Sequence, residues 1–320
     1  MGQERREGYG NYGVSKTIAM EKKLLTVSVG IPAYNEEANI KKLITQILAQ
    51  NEVGFVLEKV IVISDGSSDG TIVEVQSVSD PRVDLVAGTS RRGKAVRVME
   101  LLDRAQSDIL IQLDADVKIE DSELLKKVAR FAECSPADLY CIQLTPLAPR
   151  TFVERLGVFG VKAWFDALQY LKSKLVFHCC SGGARGFSKA FYKQFVMPSE
   201  ADVIEDKYSY MYAVTHGFKA AVVPGVEVKY RLPATAKDFL KQMRRFKRGD
   251  NALMRFFGDE SVFRESTIES KYRLLSLIKN FFSAPFTALS YIVIQMFSRF
   301  TAGDQHDKPG YDSVSSTKQL

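Results

Sequence analysis

The chain has 320 residues, 46% of them hydrophobic and 26% charged, and carries a net charge of +6. That composition is ordinary for a globular protein and leaves room for one large α/β domain or two modest ones with a sizeable core. It excludes a fibrous or compositionally disordered chain, while the basic excess admits nucleic acid, anionic lipid or a phosphorylated substrate as partner.

The first residues, "MGQERREGYGNYGVSKTIAMEKK", are polar and have no apolar stretch of the secretory kind. Arg6 stands where a myristoylation motif needs Ser or Thr, so residues 1–23 read as a flexible lead. "LLTVSVG" (24–30) follows as an apolar strand that breaks at Pro32. "AYNEEANIKKLITQILAQ" then places Ile40, Leu43, Ile44, Ile47 and Leu48 at helical spacing. Asn35 is expected to start that helix, with Glu36 and Glu37 in its first turn. Val60–Ile63 is a second strand, ending in the turn "DGSSDG" and a helix "TIVEVQSV". "RVDLVAG" is a third strand, "RRGKAVRVMELLDRA" a basic turn and helix, and "DILIQLD" a fourth strand.

Strands and helices thus alternate as far as about residue 130, and the strands are unbroken apolar runs. Both sheet faces must then be covered, which predicts a doubly wound, mostly parallel α/β sheet. In such sheets ligands bind beyond the carboxyl ends of the strands. "PAYNEE", "DGSSDG", "RRGK" and "DAD" all fall there. Asp114 and Asp116, one residue apart at a strand end, need a neutralising partner. A hard divalent cation such as Mg²⁺ or Mn²⁺ suits them, because it takes one or two carboxylates and completes its shell with phosphates and water.

The second half is less regular. "TFVERLGVFGVKAWFDALQYLKSKLVF" reads as one or two amphipathic helices, and "CCSGGARGFSKAFYKQF" as a Gly-rich turn leading into a helix. "DVIEDKYSYMYAVTHG" is a helix that opens on acids, "KAAVVPGVEVKYR" two short strands, and "AKDFLKQMRRFKRGDNALMRFF" a strongly basic amphipathic helix. Leu274–Phe300 is apolar and uncharged from Asn280 to Ser298, but Asn280, Ser283, Pro285, Thr287, Ser290 and Gln295 dilute it. A bilayer span, a membrane-surface element and a soluble packing helix all stay open for it. Residues 301–320 read as a polar tail. Cys134, Cys141, Cys179 and Cys180 form no CxxC pair, which argues against zinc; they read as reduced thiols in a cytosolic setting.

"VSVGIPAYNEEANIKKLI", "VIVISDGSSDGT", "RRGKAVRV" and "ILIQLDAD" together resemble the nucleotide-diphospho-sugar-binding half of the family 2 glycosyltransferases, in order and spacing. "IEDKYSYM" is similar to that family's Glu-Asp motif. "QMRRF" (242–246) is similar to its QxxRW motif, with Phe246 in place of Trp. The resemblance runs from about residue 25 to 260. It implies a GT-A fold over 24–260, with a nucleotide-binding half (24–130) and an acceptor half (131–260). A helical segment at 261–300, open to membrane contact, would follow.

It also implies site roles. Pro32, Ala33, Tyr34 and Glu36 would flank the nucleoside, and Asp65 would accept from the base imide N–H. Lys94 would reach the nucleotide or its phosphates. Asp114 would face the ribose or the metal, and Asp116 would be the main ligand of Mg²⁺ or Mn²⁺. Gln242 and Arg245 would bind the nucleotide-sugar, and Arg245 would also act in catalysis by helping to neutralise the departing diphosphate. Asp206 would be the general base, supported by Glu205, with inversion at the anomeric carbon. The donor would be a UDP-sugar. The acceptor would be a glycan or a polyprenyl-linked one at the cytoplasmic face of a membrane.

Phe246 and the lack of several clear membrane helices favour single-sugar transfer over a processive polysaccharide synthase. A non-catalytic nucleotide-sugar-binding protein would have lost one of the carboxylates, and all are present. A nicotinamide enzyme fails because no GxGxxG follows a strand. Nucleic acid is discounted, because no motif for it accompanies the basic helix.

Overall fold

The structure is a computed structural model that describes residues 23–171, 175–198, 204–301, 315–318 and 320. Residues 1–22 of the expected lead (1–23) and most of the expected tail lie outside the described residues. Four parallel strands form the first half of one sheet: β1 (Leu25–Ala33), β2 (Phe55–Ser64), β3 (Val83–Ala87) and β4 (Ile109–Leu113). Helices α1 (Ile40–Leu48), α2 (Thr71–Gln76) and α3 (Lys94–Arg104) connect them. The sheet continues through β5 (Val117–Lys118), β6 (Leu139–Pro146), β7 (Ala184–Ser188) and β8 (Ala220–Tyr230) in the order β3-β2-β1-β4-β7-β6-β8-β5.

The alternation of side chains along each strand divides the core in two. On β2, Val60 and Val62 join the cluster under α1 and α4 (Leu124–Cys134), while Ile61 and Ile63 join the one under α3. On β4, Ile109, Ile111 and Leu113 face the first cluster and Leu110 the second. Gly30 is small for a packing reason: a Cβ there would lie 3.1 Å from Leu101 of α3. Each of these buried branched side chains contributes about 1.5–3 kcal/mol of burial.

Several expectations need correction. β1 does not break at Pro32 but runs through it, with Pro32 opposite Ile63. The carbonyl of Ala33 points to β2, where Asp65 N–H donates to it at 2.8 Å. Pro32, one residue back, therefore turns its missing N–H toward β4, where pairing has already ended at Gly30–Gln112. The helix starts at Ile40, not at Asn35. Asn35 instead adopts φ 53° in a turn, and its Oδ1 accepts from Ser68 N–H at 2.9 Å.

"ARGFS" is a central strand rather than a turn. β7 runs antiparallel between β4 and β6, and Gly186 is needed there because a Cβ would lie 3.1 Å from Tyr140. The two strands expected after residue 219 are one, with Gly225 at φ 66° and a register shift opposite Cys141–Gln143.

Helices α5 (Phe152–Leu168), α6 (Leu175–Cys179), α7 (Lys189–Tyr192) and α8 (Glu205–Thr215) fill the second half. They are joined by the basic α9 (Ala236–Phe257) and by α10 (Asp259–Ser266). The apolar 274–300 stretch is divided between α11 (Ser270–Phe281) and α12 (Pro285–Thr301), because Pro285 cannot continue the preceding helix. Among the described residues no helix is long and apolar enough to cross a membrane. α11 packs on α5 through buried Ser276 and Asn280; Asn280 donates to Asp166 at 2.8 Å. Its other face leaves Leu274, Leu275, Ile278 and Phe282 exposed. A 3-10 turn, Ser315–Thr317, lies against the start of α9, where Ser316 N–H donates to Asp238 at 3.3 Å.

Candidate active site

The carboxyl ends of β1, β2 and β4 gather the first polar clusters at one edge. β7 adds to them because it is antiparallel: its first residue, Ala184, pairs with Leu113, so the glycines just before it reach the same edge. Asp114 N–H donates to the Gly183 carbonyl at 2.9 Å. α8 then begins at Glu205, with both acids in its first turn, where the helix dipole favours them.

Lys94 ties these pieces together. Its Nζ lies 2.7 Å from Asp114 Oδ1 and 2.7 Å from Glu205 Oε1, and it donates to the Gly182 carbonyl at 3.0 Å. Gln112, fully buried in an otherwise apolar strand, donates to Asp114 Oδ1 at 3.1 Å and to the same Gly182 carbonyl at 3.0 Å. Gly182 N–H in turn donates to Asp206 Oδ2 at 2.6 Å, and Lys207 N–H holds Asp206 Oδ1 at 2.6 Å. A Cβ on Gly182 would fall 2.7 Å from Glu205 Oε1 and 3.0 Å from Lys94 Nζ, so only glycine leaves the carboxylates where they are.

The electrostatics follow from the contacts. Burial works against the charge on Lys94, but Asp114 and Glu205 outweigh it and hold the ammonium above its usual range. Burial also opposes the Glu205 carboxylate, yet Lys94 and then Arg185 pull it down to about 2. Asp114 is pushed up to about 6 by burial, with Lys94 pulling the other way and Asp116 and Glu205 adding to the rise. Asp114 and Glu205 together keep Lys94 charged, and of the two Asp114 more readily takes a proton.

Asp65 is buried and anchors the basic turn. It accepts from Arg92 N–H at 2.7 Å, Gly93 N–H at 2.8 Å and Arg97 Nε at 2.7 Å. One unbroken chain of contacts thus runs from Asp65 through the turn, Lys94, Asp114 and Glu205 to Asp206. Asp69 accepts from Thr71 N–H at 3.0 Å at the start of α2 and from Glu37 N–H at 3.2 Å in the turn after β1.

Pro32 and Ala33 close β1, and Tyr34 and Glu36 lie just beyond. The Arg91 guanidinium sits 4.0 Å from the Tyr34 ring centroid. Glu36 is 7% exposed and is pushed up to about 7 by burial and by Asp116, with Lys318 pulling it down. Lys318 Nζ lies 2.7 Å from Glu36 Oε1. Asp116 is half-buried, and among the described residues no cationic side chain pairs with its carboxylate; Thr317 Oγ1 approaches its Oδ2 at 3.4 Å. Two carboxylates at an open edge, one of them without a cation, suit a hard ion that draws its other ligands from phosphate and water. Among the described residues no group of three or more His, Cys, Asp or Glu side chains could hold a metal without such a contribution.

Gln242 and Arg245 are not brought to this cluster by any hydrogen bond among the described residues. Arg245 is exposed on α9 with its guanidinium 5.7 Å from the Phe246 ring centroid. α9 is tied to α8 by the Lys207–Asp250 ion pair. Two buried residues that the sequence reading passed over belong to the site. Gln112 was detectable as the one amide inside "ILIQL". Arg185, fully buried beneath Glu205 and held by Ser209 Oγ at 3.4 Å, was hidden in a glycine-rich run. His178 packs its ring edge-on against Trp164 and Phe177.

Residues 28–195 match the family model for glycosyl transferase family 2. Over 111 residues the chain is 34% identical to an undecaprenyl-phosphate 4-deoxy-4-formamido-L-arabinose transferase of Pectobacterium carotovorum, covering 33% of this chain and 34% of that protein. The chain thus matches only about a third of the length of such relatives. It is 21% identical over 237 residues to an N-acetylglucosaminyltransferase of Azorhizobium caulinodans, covering 69% of this chain and 59% of the relative. Among solved structures, a mannosyltransferase from Pyrobaculum calidifontis in complex with GDP-mannose and Mn²⁺ superposes with a TM-score of 0.53 at 20% identity. That match covers 88% of this chain and 77% of the other. Glucosyl-3-phosphoglycerate synthase from Mycobacterium tuberculosis, with Mn²⁺ and UDP-glucose, gives 0.52 at 16% identity, over 73% and 79% of the two chains. The sheet is therefore of the GT-A kind.

Proposed function

Because the chain belongs to glycosyl transferase family 2, we propose that it transfers one sugar from a nucleotide-diphosphate donor, UDP-linked, to a lipid-linked acceptor, with inversion. The observation that carries this reading is the Gly182 bridge. Its carbonyl is held by Lys94 and Gln112 alongside Asp114, and its N–H is held by Asp206. Donor-side and acceptor-side carboxylates are thus registered to each other through one residue.

In this reading Tyr34 and Glu36 receive the nucleoside, and Asp65 orders the basic turn beside it. Asp116, with Asp114, would hold Mg²⁺ or Mn²⁺, which when bound supplies Lewis-acid neutralisation of the diphosphate. Asp206 takes the proton of the acceptor hydroxyl as its oxygen bonds to the anomeric carbon and the bond to the diphosphate breaks. A phosphate acceptor would arrive already deprotonated. Gly182 N–H holds Asp206 Oδ2 and Lys207 N–H its Oδ1, so the base is oriented before the acceptor binds. Lys94 offsets the negative charge of Asp114 and Glu205, and Arg245 on α9 is the reserve cation for the leaving group.

The relatives that act on undecaprenyl phosphate support a lipid acceptor. So does the junction between α11 and α12, where Phe282 is 81% and Phe286 84% exposed. We place that junction on the cytoplasmic surface of an anionic membrane. The test is a donor screen with Mn²⁺, read by mass spectrometry of the product, on wild type and Asp206→Asn. Turnover onto a hydroxyl acceptor should fall on the order of 10³-fold in the variant while UDP affinity stays. A variant that kept most of its turnover would remove Asp206 from the role of base.

A further inference from the structure

Residues 315–318 and 320 lie across the edge just assigned to the donor. Lys318 Nζ pairs with Glu36 at 2.7 Å, donates to the Asn35 carbonyl at 3.1 Å and to the Tyr34 carbonyl, and stands 5.5 Å from the Tyr34 ring centroid. The Lys318 carbonyl accepts from Asn39 Nδ2 at 2.6 Å, and that amide also donates to Glu36 Oε2 at 3.1 Å. Thr317 Oγ1 reaches Asp116 at 3.4 Å.

The segment is held from the other side as well. Ser316 Oγ accepts from Ala234 N–H at 3.1 Å, and Ser316 N–H donates to Asp238 at 3.3 Å. Leu320 enters a cavity of about 270 Å³ whose walls include Lys42, Lys118, Arg150 and Arg231. These contacts are directional, and three of them fall on Tyr34, Glu36 and Asp116.

We propose that the segment carrying Thr317 and Lys318 is a built-in competitor of the nucleotide: these residues fill the nucleoside seat of the resting protein and must leave before the donor binds. The inference rests on the donor assignment made above. Its physical logic lies in Glu36. A carboxylate this buried, next to Asp116, needs a donor or a cation. Lys318 supplies one in the resting state; ribose hydroxyls or a base N–H would supply the other when nucleotide enters. Lys318 and a nucleoside cannot both occupy that position. The measured donor affinity then falls by the fraction of molecules whose seat is open, so a segment docked nine-tenths of the time weakens it about tenfold.

Lys318→Glu sets a carboxylate against Glu36 and Asp116 and should expel the segment. Isothermal titration of UDP with Mn²⁺ into the full chain should show binding tightened about tenfold. Lys318→Ala should move the same way, and adding a peptide of residues 315–320 should raise the apparent Kd of the Lys318→Glu protein again. Equal affinity in wild type and both variants would overturn the proposal. So would weaker binding in the variants, which would make the segment a clasp over bound donor.

A second arm needs no nucleotide: the fluorescently labelled peptide should bind Lys318→Glu and lose that binding when Glu36→Gln is added. No peptide binding at millimolar concentration, with normal nucleotide binding, overturns this proposal alone. Glu36-dependent peptide binding with no nucleotide bound by any variant overturns the donor assignment, and the competition with it.

Discussion

Replacing Lys94 by methionine removes the cation that Asp114 and Glu205 share and leaves its side-chain volume packed. Three acceptors lose a donor at once: Asp114 and Glu205 at 2.7 Å each and the Gly182 carbonyl at 3.0 Å. Stranding the partner of a buried ion pair costs about 3–5 kcal/mol. The Lys94 side chain is 34% exposed, however, so water can screen part of the loss. We expect about 2–3 kcal/mol at neutral pH.

The loss should depend on pH with a definite sign. In the wild type Glu205 is depressed to about 2, so its contribution is present above the ordinary carboxylate range and lost as pH falls toward about 2. In Lys94→Met its main cation is gone and that contribution disappears. The gap between the two proteins should therefore be widest near neutral pH and close in acid. Urea unfolding followed by circular dichroism at neutral pH and at pH below the ordinary carboxylate range measures it. A gap below about 0.5 kcal/mol at neutral pH, or one that does not narrow in acid, would show that water rather than Lys94 satisfies the carboxylates.

Gly182→Ala should lower kcat on the order of 10²-fold with little change in unfolding midpoint, because the new methyl displaces Glu205 and Lys94 rather than the core; initial rates and a melting curve separate the two. Arg231→Met should cost about 3–5 kcal/mol in urea, since Glu154 is 2% exposed and pairs with Arg231 at 2.8 Å, and adding Glu154→Gln should restore part of it. Phe282→Asp with Phe286→Asp should abolish flotation with anionic vesicles without lowering thermal stability, as both rings already face solvent; unchanged flotation would remove the junction from the membrane.

The first half of the fold was legible because its strands carry their own signal. Continuous apolar runs bounded by Gly, Asp and Ser give the same answer in any doubly wound context, and the four clusters at their ends followed from strand direction alone. The second half was legible only in its helices. β7 carries Arg185 and Gly186 inside a strand, and its local pattern is that of a turn; it is a strand because β4 and β6 pair with it on both sides.

By itself the sequence determined the alternating architecture, the edge where the polar residues gather, and the candidates Tyr34, Glu36, Asp65, Lys94, Asp114, Asp116, Glu205 and Asp206. Tertiary structure alone decided how they are wired. Lys94 pairs with Asp114 and Glu205, Asp65 accepts from the basic turn, and Arg245 is exposed on α9 with no hydrogen bond to the cluster among the described residues. It also brought Lys318 to Glu36, a pairing across more than 280 positions. Periodicity and spacing report which face of a helix or strand a residue occupies. They carry no information about which distant carboxylate an ammonium will meet, because that depends on strand order and on the direction in which β7 runs.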